Sequence, residues 1–263
     1  MNPILLRGGG DLASGVALRL HHAGFQVVIT ELARPLAVRR LVAFSEAVYE
    51  GRITVEDVTA RLVTADQLPV TLKADEIPVL IDPEADILRN TQYGIVIDAR
   101  LLKMPPKPLP VPVPLHIGLG PGFHAGRDCH AVVETHRGHT LGRVYWDGMT
   151  APDSGQPEGD PRRVLRAPHD GRLISHVKIG EHLIEGQLIA EIQSEKENLK
   201  SKIVSPFAGV LRGLLHNGVD VTRGLKLGDV DARNDPSLCR LVSDKALAVG
   251  GGVLEAIMTK RSS

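Results

Sequence analysis

The chain has 263 residues, enough for about two domains that each bury a core. Its 31 basic and 31 acidic residues cancel, with 43% hydrophobic and 24% charged residues, which excludes a nucleic-acid or anionic-lipid partner drawn by a general field. No apolar run nears the roughly 20 residues of a membrane helix, no basic and apolar leader opens the chain, and Cys129 and Cys239 are too few for a disulfide framework, so a cytoplasmic protein is expected.

Residues 4–7 read as a short buried strand, 8–11 as a Gly-rich turn, and 12–22 as a helix with Leu12, Val16 and Leu20 on one face. Residues 25–30 are a second strand, ending at Glu31. Gly8, Gly10 and Ala13 spell G-x-G-x-x-A, with Gly9 and Asp11 completing the turn, and an acid follows about twenty positions on, as a dinucleotide-binding βαβ unit requires. In that reading Gly8 permits the tight turn, Gly10 lets backbone approach a pyrophosphate, Ala13 allows close packing, and Glu31 accepts from a ribose hydroxyl. NAD or another nucleotide is the cofactor such a unit takes. A Rossmann-like turn that binds no nucleotide has the same spelling.

Residues 35–44 and 55–62 read as helices, the second led by Thr54 as N-cap with Glu56 and Asp57 in an acidic first turn. Residues 77–82 and 94–98 look like inner strands of a parallel sheet, each ending in an aspartate. Carboxylates at strand C-termini sit where open α/β sheets bind ligands, so Asp82 and Asp98 are candidates. Asp82 serves equally as a cap for a helix over 84–89.

Six prolines between Pro105 and Pro114 mark an extended segment of roughly 30 Å, and a domain boundary is placed there. Strands are expected over 116–120, 130–135 and 141–146. His116, His124, Cys129, His130, Glu134, His136, Arg137 and His139 crowd this stretch. Cys129 and His130, being adjacent, point to opposite faces of a strand, and His136-x-x-His139 spans a Gly turn, so no metal site is expected. Cys129, His136 and His139 are the candidates for chemistry, the histidines as acid or base and the thiol as a carrier on condition that it is exposed and activated.

Two stretches beginning at Ala167 and Ser205 repeat one pattern. Pro168/Pro206, Gly171/Gly209, Gly180/Gly218 and Gly186/Gly224 align, as do Leu165/Ile203, Leu173/Leu211, Leu183/Val221, Ile189/Leu227 and Ile192/Val230. Each copy reads as strands joined by Gly turns, and two such copies resemble the barrel-sandwich hybrid of lipoyl and biotinyl carrier domains. Lys196 then falls near the hairpin where those domains carry a modified lysine; a plain surface lysine is expected. A closing helix over 243–258 is interrupted by Gly250, Gly251 and Gly252.

RGGGDLASGVALRL, AFSEAVYEG, LIDPEADIL, VIDARLLK, GPGFHAG, ETHRGHTLGRV, the repeat and SDKALAVGGGVLEAI together resemble the YqeB-like accessory proteins of selenium-dependent molybdenum hydroxylase systems. The resemblance implies a maturation role, with a molybdenum hydroxylase or its cofactor-maturation proteins as partner. The expected fold class is α/β plus β, a Rossmann-like parallel-sheet domain over 1–104, a Pro-rich linker and β segment over 105–163, a barrel-sandwich repeat over 164–232 and a closing helix over 233–263. An NAD-dependent oxidoreductase and a non-enzymatic carrier or binding module are the alternatives.

Overall fold

The computed structural model describes residues 2–153, 155, 159–194 and 199–261. The chain divides into two compact units, one of residues 1–35, 43–154 and 242–263, the other of 36–42 and 155–241.

The first unit contains β1 (Ile4–Arg7), α1 (Asp11–His22), β2 (Val27–Glu31), α2 (Ala47–Glu50), β3 (Arg52–Val55), β4 (Val58–Leu62), α3 (Leu68–Lys73), β5 (Ile77–Ile81), β6 (Ile95–Asp98), β7 (Leu115–Leu119), β8 (His124–Ala125), β9 (Ala131–Val133), β10 (Val144–Tyr145) and β11 (Gly148–Met149), and closes with α4 (Asp244–Arg261). Nine of these strands form one sheet in the order β10-β9-β7-β6-β1-β2-β5-β4-β3. The strands from β9 to β4 are parallel neighbours, while β10 and β3 close the edges in antiparallel fashion. The inner strands are apolar along their length because both faces are covered.

On one face lie α1 and α4. A Cβ on Gly15 would stand 2.6 Å from that of Ala246, and one on Gly250 would stand 2.9 Å from the Gly15 carbonyl oxygen, so the two helices cross at a distance that only small residues allow. This accounts for the glycines expected to interrupt the closing helix. All three sit inside an unbroken α4, where close packing at Gly250 and Gly252 offsets a propensity cost of about 1 kcal/mol each, while Gly251 faces open space. On the other face Leu5, Val28, Leu80, Tyr93 and Val96 form a core against which Leu109, Val111 and Val113 pack.

The expected fold class is therefore corrected. The Pro-rich segment is no spacer between domains: its alternate apolar side chains cover the sheet, and β7, β9 and β10 beyond it join the sheet that β1 began. The crossovers after β5 and β6 are a 3₁₀ turn at Asp86–Arg89 and this extended strap, not helices, so the unit is a large mixed sheet and not a Rossmann-like parallel domain. Residues 55–62 are the end of one strand, the turn and the second strand of a hairpin. Val55 and Val58 pair across the turn and are buried, as is Ala60 two positions on, Glu56 takes φ 54° in the turn, and Thr54 Oγ1 bonds Thr59 Oγ1 across the strands at 2.9 Å instead of capping a helix. Residues 35–44 form no α-helix because tertiary partners claim their backbone: Val38 O accepts from Leu214 N at 2.9 Å, and Phe44 N donates to Ser14 Oγ at 2.8 Å.

The second unit holds β12 (Val164–Arg166), β13 (Gly171–Ser175), β14 (His182–Leu183), β15 (Leu188–Ser194), β16 (Leu199–Val204), β17 (Gly209–Leu214), β18 (Asp220–Val221) and β19 (Lys226–Asp231). They make two four-stranded antiparallel sheets, β12-β19-β17-β14 and β16-β15-β13-β18. Each sheet takes its two inner strands from one copy of the repeat and its two outer strands from the other. The glycine pairs match in geometry as well. A Cβ on Gly171 would stand 2.6 Å from Gln193 O and one on Gly209 2.6 Å from Asp231 O, while Gly186 and Gly224 take φ of 78° and 82°. The unit also takes in residues 36–42, with Arg39 Nη2 donating to Leu238 O and Leu241 O at 3.0 Å, so it extends beyond the barrel-sandwich repeat expected over 164–232. Lys196 lies outside the described residues. Among the described residues no helix is long and apolar enough to cross a membrane.

Candidate functional site

The C-terminal ends of β1, β2, β6 and β7 gather most of the residues marked in the sequence. Gly8 leaves β1 at φ 93°, its N–H donating to Thr30 O at 2.8 Å, and the chain enters α1 through Gly10, the N-cap, at φ −65°. Gly9 between them is the crowded one. Its carbonyl accepts from Ser45 N at 2.8 Å, and a Cβ there would stand 2.8 Å from that same nitrogen. A Cβ on Gly10 would meet nothing within 4 Å. Ala13 is buried on the inner side of α1, and Asp11 is half-buried in its first turn.

Glu31 is not placed as a ribose-binding acid. Its Oε2 accepts from Gly9 N at 2.7 Å and its Oε1 from Leu32 N at 2.7 Å, so both oxygens are spent on the chain's own amides. The carboxylate closes the Gly loop on itself.

Asp98, at the end of β6, has no exposed surface and is held by two guanidinium groups. Arg7 Nη1 reaches its Oδ2 at 3.4 Å, while Arg7 Nη2 donates to Pro83 O at 3.0 Å. Arg100 grips Asp98 from the other side in a bidentate fork, Nε to Oδ1 at 2.9 Å and Nη2 to Oδ2 at 2.6 Å. Burial, the largest influence on Arg7, lowers its pKa against the pull of Asp98, yet a guanidinium remains charged in either case. Arg100 keeps 28% of its side chain exposed and lies beside the Gly loop, since a Cβ on Gly8 would stand 3.5 Å from Arg100 N. Neither arginine was singled out in the sequence. The available signal was a charge at each end of the apolar runs ILLR and VIDAR.

His116, on β7, is 6% exposed, and burial, more than any neighbour, drives its pKa down to about 4. Its ring stands edge-on to Phe123, with centroids 6.2 Å apart. Phe123 is seated over Gly118, whose missing side chain makes room for the ring.

The middle-segment candidates separate. Cys129 is 8% exposed and its thiol, desolvated among Phe123, Ala125 and Val132, is pushed up to about 11, so the exposure and activation required of a carrier thiol are not met. His136 and His139 are exposed on the loop after β9. That loop is organised by Glu134, 1% exposed, whose Oε1 accepts from Thr135 N and His136 N at 2.7 Å each and whose Oε2 accepts from Ala151 N at 2.8 Å. Neither histidine is brought to the Asp98 cluster by any hydrogen bond described. Asp82 accepts from Asp86 N and Ile87 N at 2.9 Å, a capping role.

No family model matches the chain. Among curated proteins it is 45% identical over 260 residues to the uncharacterized protein YqeB of Escherichia coli K12, a match that covers 97% of this chain and 47% of that protein. The chain thus spans about half the length of the curated relative it matches. Among solved structures it is similar to a succinylglutamate desuccinylase/aspartoacylase from Rhodobacter sphaeroides, at 14% identity and TM-score 0.30 over 87% of this chain and 85% of that one. It is similar also to the product-bound ectoine utilization protein EutE of Ruegeria pomeroyi, at 11% identity and TM-score 0.29 over 87% and 85%. An aspartoacylase family protein from Mesorhizobium loti follows at 8% identity and TM-score 0.26 over 88% and 85%. The YqeB relative is uncharacterized, and none of these counterparts carries a name that describes a molybdenum hydroxylase accessory protein or a nicotinamide-dependent oxidoreductase. The maturation role and the NAD-dependent oxidoreductase are withdrawn, and the ribose-binding role of Glu31 falls to its geometry, both oxygens being held by the Gly9 and Leu32 amides. What stands is the family resemblance itself: over nearly its whole length, the chain is YqeB-like.

Proposed function

We propose that the chain binds a small anionic ligand, carrying a phosphate or carboxylate group, at the C-terminal edge of the nine-stranded sheet, with Gly8, Gly9, Gly10 and Asp11 as the loop, Ala13 packing behind it and Asp98 as the buried anchor. One observation carries this. A fully buried aspartate holds the partly exposed Arg100 fork, the Arg100 backbone lies beside Gly8, and nothing stands within 4 Å of a Cβ on Gly10 at the start of a twelve-residue helix. The Glu31 carboxylate on Gly9 N–H supports the reading of the loop as one that accepts an oxyanion. Arg7 and Arg100 are offset by Asp98 and Glu31, so the ligand is held by directed donors rather than a general field.

Isothermal titration with inorganic pyrophosphate tests the reading. Micromolar to millimolar binding is expected in the native protein, reduced at least tenfold in Arg100→Gln and in Gly10→Val, both of which keep the native circular dichroism. Absence of binding at millimolar pyrophosphate and at millimolar succinate sinks it.

A further inference from the structure

In the repeat unit the Ser201 hydroxyl oxygen lies 3.1 Å from His169 Nε2, and His169 Nδ1 lies 2.8 Å from the Asp170 carbonyl oxygen. A carbonyl oxygen can only accept. Nδ1 therefore carries the ring proton, and Nε2 of the neutral imidazole accepts the proton of the Ser201 hydroxyl. The turn that orients the ring is itself held: Asp170 Oδ1 accepts from Arg223 N at 2.7 Å, Ala167 O from Gly224 N at 2.8 Å, and Ala167 N donates to Leu225 O at 2.9 Å. A hydroxyl within reach of a base, and a base oriented by a third group, is the arrangement that activates a weak nucleophile.

The second copy of the repeat builds the same turn without this pair. Ser205 O accepts from Gly186 N at 2.8 Å and Ser205 N donates to Gln187 O at 2.9 Å, matching the bonds of Ala167 position for position. The residues equivalent to His169 and Ser201 are there Phe207 and Arg163, and Arg163 is committed to Asp229. The scaffold thus requires neither the imidazole nor the hydroxyl.

The surroundings suit acyl chemistry. Ser201 is half-buried on β16, the outer strand of its sheet, and His169 is 9% exposed. Alternate amides of an outer strand have no partner within the sheet and can donate to a developing oxyanion. Ile192, in register with Ser201, and Ile203, two positions along, are buried, so the hydroxyl stands on the apolar face of the strand, where an apolar acyl group is favoured over a charged one.

We propose that Ser201 is an acyl-accepting nucleophile and His169 its base, acting on esters of short apolar acids. Ser201 Oγ bonds the ester carbonyl carbon while its proton passes to His169 Nε2. Collapse of the tetrahedral adduct breaks the bond to the alcohol, which leaves with that proton. Water, deprotonated in its turn by Nε2, then releases the acid and restores Ser201.

The activated ester p-nitrophenyl acetate tests this on the full chain at neutral pH. Nitrophenolate release should be at least about tenfold faster than with Ser201→Ala or with His169→Phe, which carries the side chain of the second copy. Peptide mass spectrometry of the quenched native reaction should find acetyl on Ser201. His169→Gln should be as slow as His169→Phe, which separates loss of the base from a change in packing. Acetyl on lysines alone, release as fast with Ser201→Ala as with the native chain, or release as fast with His169→Gln overturns the assignment.

Discussion

Both units bury carboxylates, and they treat them differently. In the repeat unit Glu191 and Asp229 occupy equivalent positions of the two copies, and each is answered from the neighbouring strand region: Lys200 Nζ and His176 Nε2 lie 2.8 and 3.3 Å from Glu191, and Arg163 bonds both oxygens of Asp229 with Lys226 at 3.4 Å. Lys200, which donates to it, holds the Glu191 carboxyl below the usual range. These acids tie strands together, their partners reach solvent, and the duplication of the device argues for a structural role. In the sheet unit Asp98 is single and wholly enclosed, and Arg7, which reaches it at 3.4 Å, keeps a buried Nε that has no hydrogen-bond partner. Pairing that is complete and repeated marks architecture; pairing that is unique and incomplete marks a site.

The largest expected effect tests that contrast directly. Asp98→Asn leaves Arg7, 3% exposed, as an uncompensated buried charge and should cost about 3–5 kcal/mol in urea unfolding. Asp229→Asn leaves Arg163, whose side chain is 25% exposed, able to turn to water, and should cost about 1 kcal/mol. Equal losses would erase the distinction between the two acids.

A smaller effect comes from pH. Burial holds His116 near 4 against its ordinary 6.5, so between those values the unfolded chain takes up a proton that the folded chain refuses. The stability owed to a neutral His116 is complete above pH 6.5 and is lost as the pH falls toward 4, by at most about 1.4 kcal/mol per pH unit. Unfolding free energies measured at pH 7, 6, 5 and 4 should show this slope in the native protein and a flatter one in His116→Gln; parallel slopes would mean that His116 is not the group excluded from protonation.

How much of this was legible in the chain differs between the same two regions. The repeat was readable because each position is specified twice, and the apolar and glycine pairs fall where the two sheets need them. The sheet unit misled at residues 55–62, where an acidic pair after Thr54 imitates a helix start although Glu56 and Asp57 are the turn of a hairpin in which Val55 pairs with Val58, and at residues 105–114, where proline content hides the alternation of Leu109, Val111 and Val113 that packs the strap onto the core. The Gly loop and Asp98 were visible as strand-terminal residues. Arg100 was not, because its role depends on Asp98 being buried, and Glu31 satisfied the spacing of a ribose acid while its carboxylate turned back to Gly9. Spacing along the chain specifies which backbone positions meet, and leaves open which hydrogen bond a flexible acid will choose.

The smallest effect sharpens the reading of the loop itself, because its glycines are not equivalent. Gly9 is required by the fold: a methyl group there would stand 2.8 Å from Ser45 N, whose hydrogen bond to Gly9 O ties the loop to the segment before α2, so Gly9→Ala should cost about 1–3 kcal/mol. Gly10 is not. Its φ of −65° suits any residue and its Cβ direction is open, so Gly10→Ala gains a few tenths of a kcal/mol from the unfolded chain, loses about as much from a poorer N-cap, and should leave unfolding unchanged within about 0.5 kcal/mol. A glycine that the folded chain does not need is retained for what approaches it from outside. Gly10→Val, equally tolerated by the backbone, should therefore separate the two properties, keeping stability and losing pyrophosphate. Should Gly10→Ala instead prove as destabilising as Gly9→Ala, the open space over the N-cap would be a structural feature of the loop and the ligand-facing role of Gly10 would be lost.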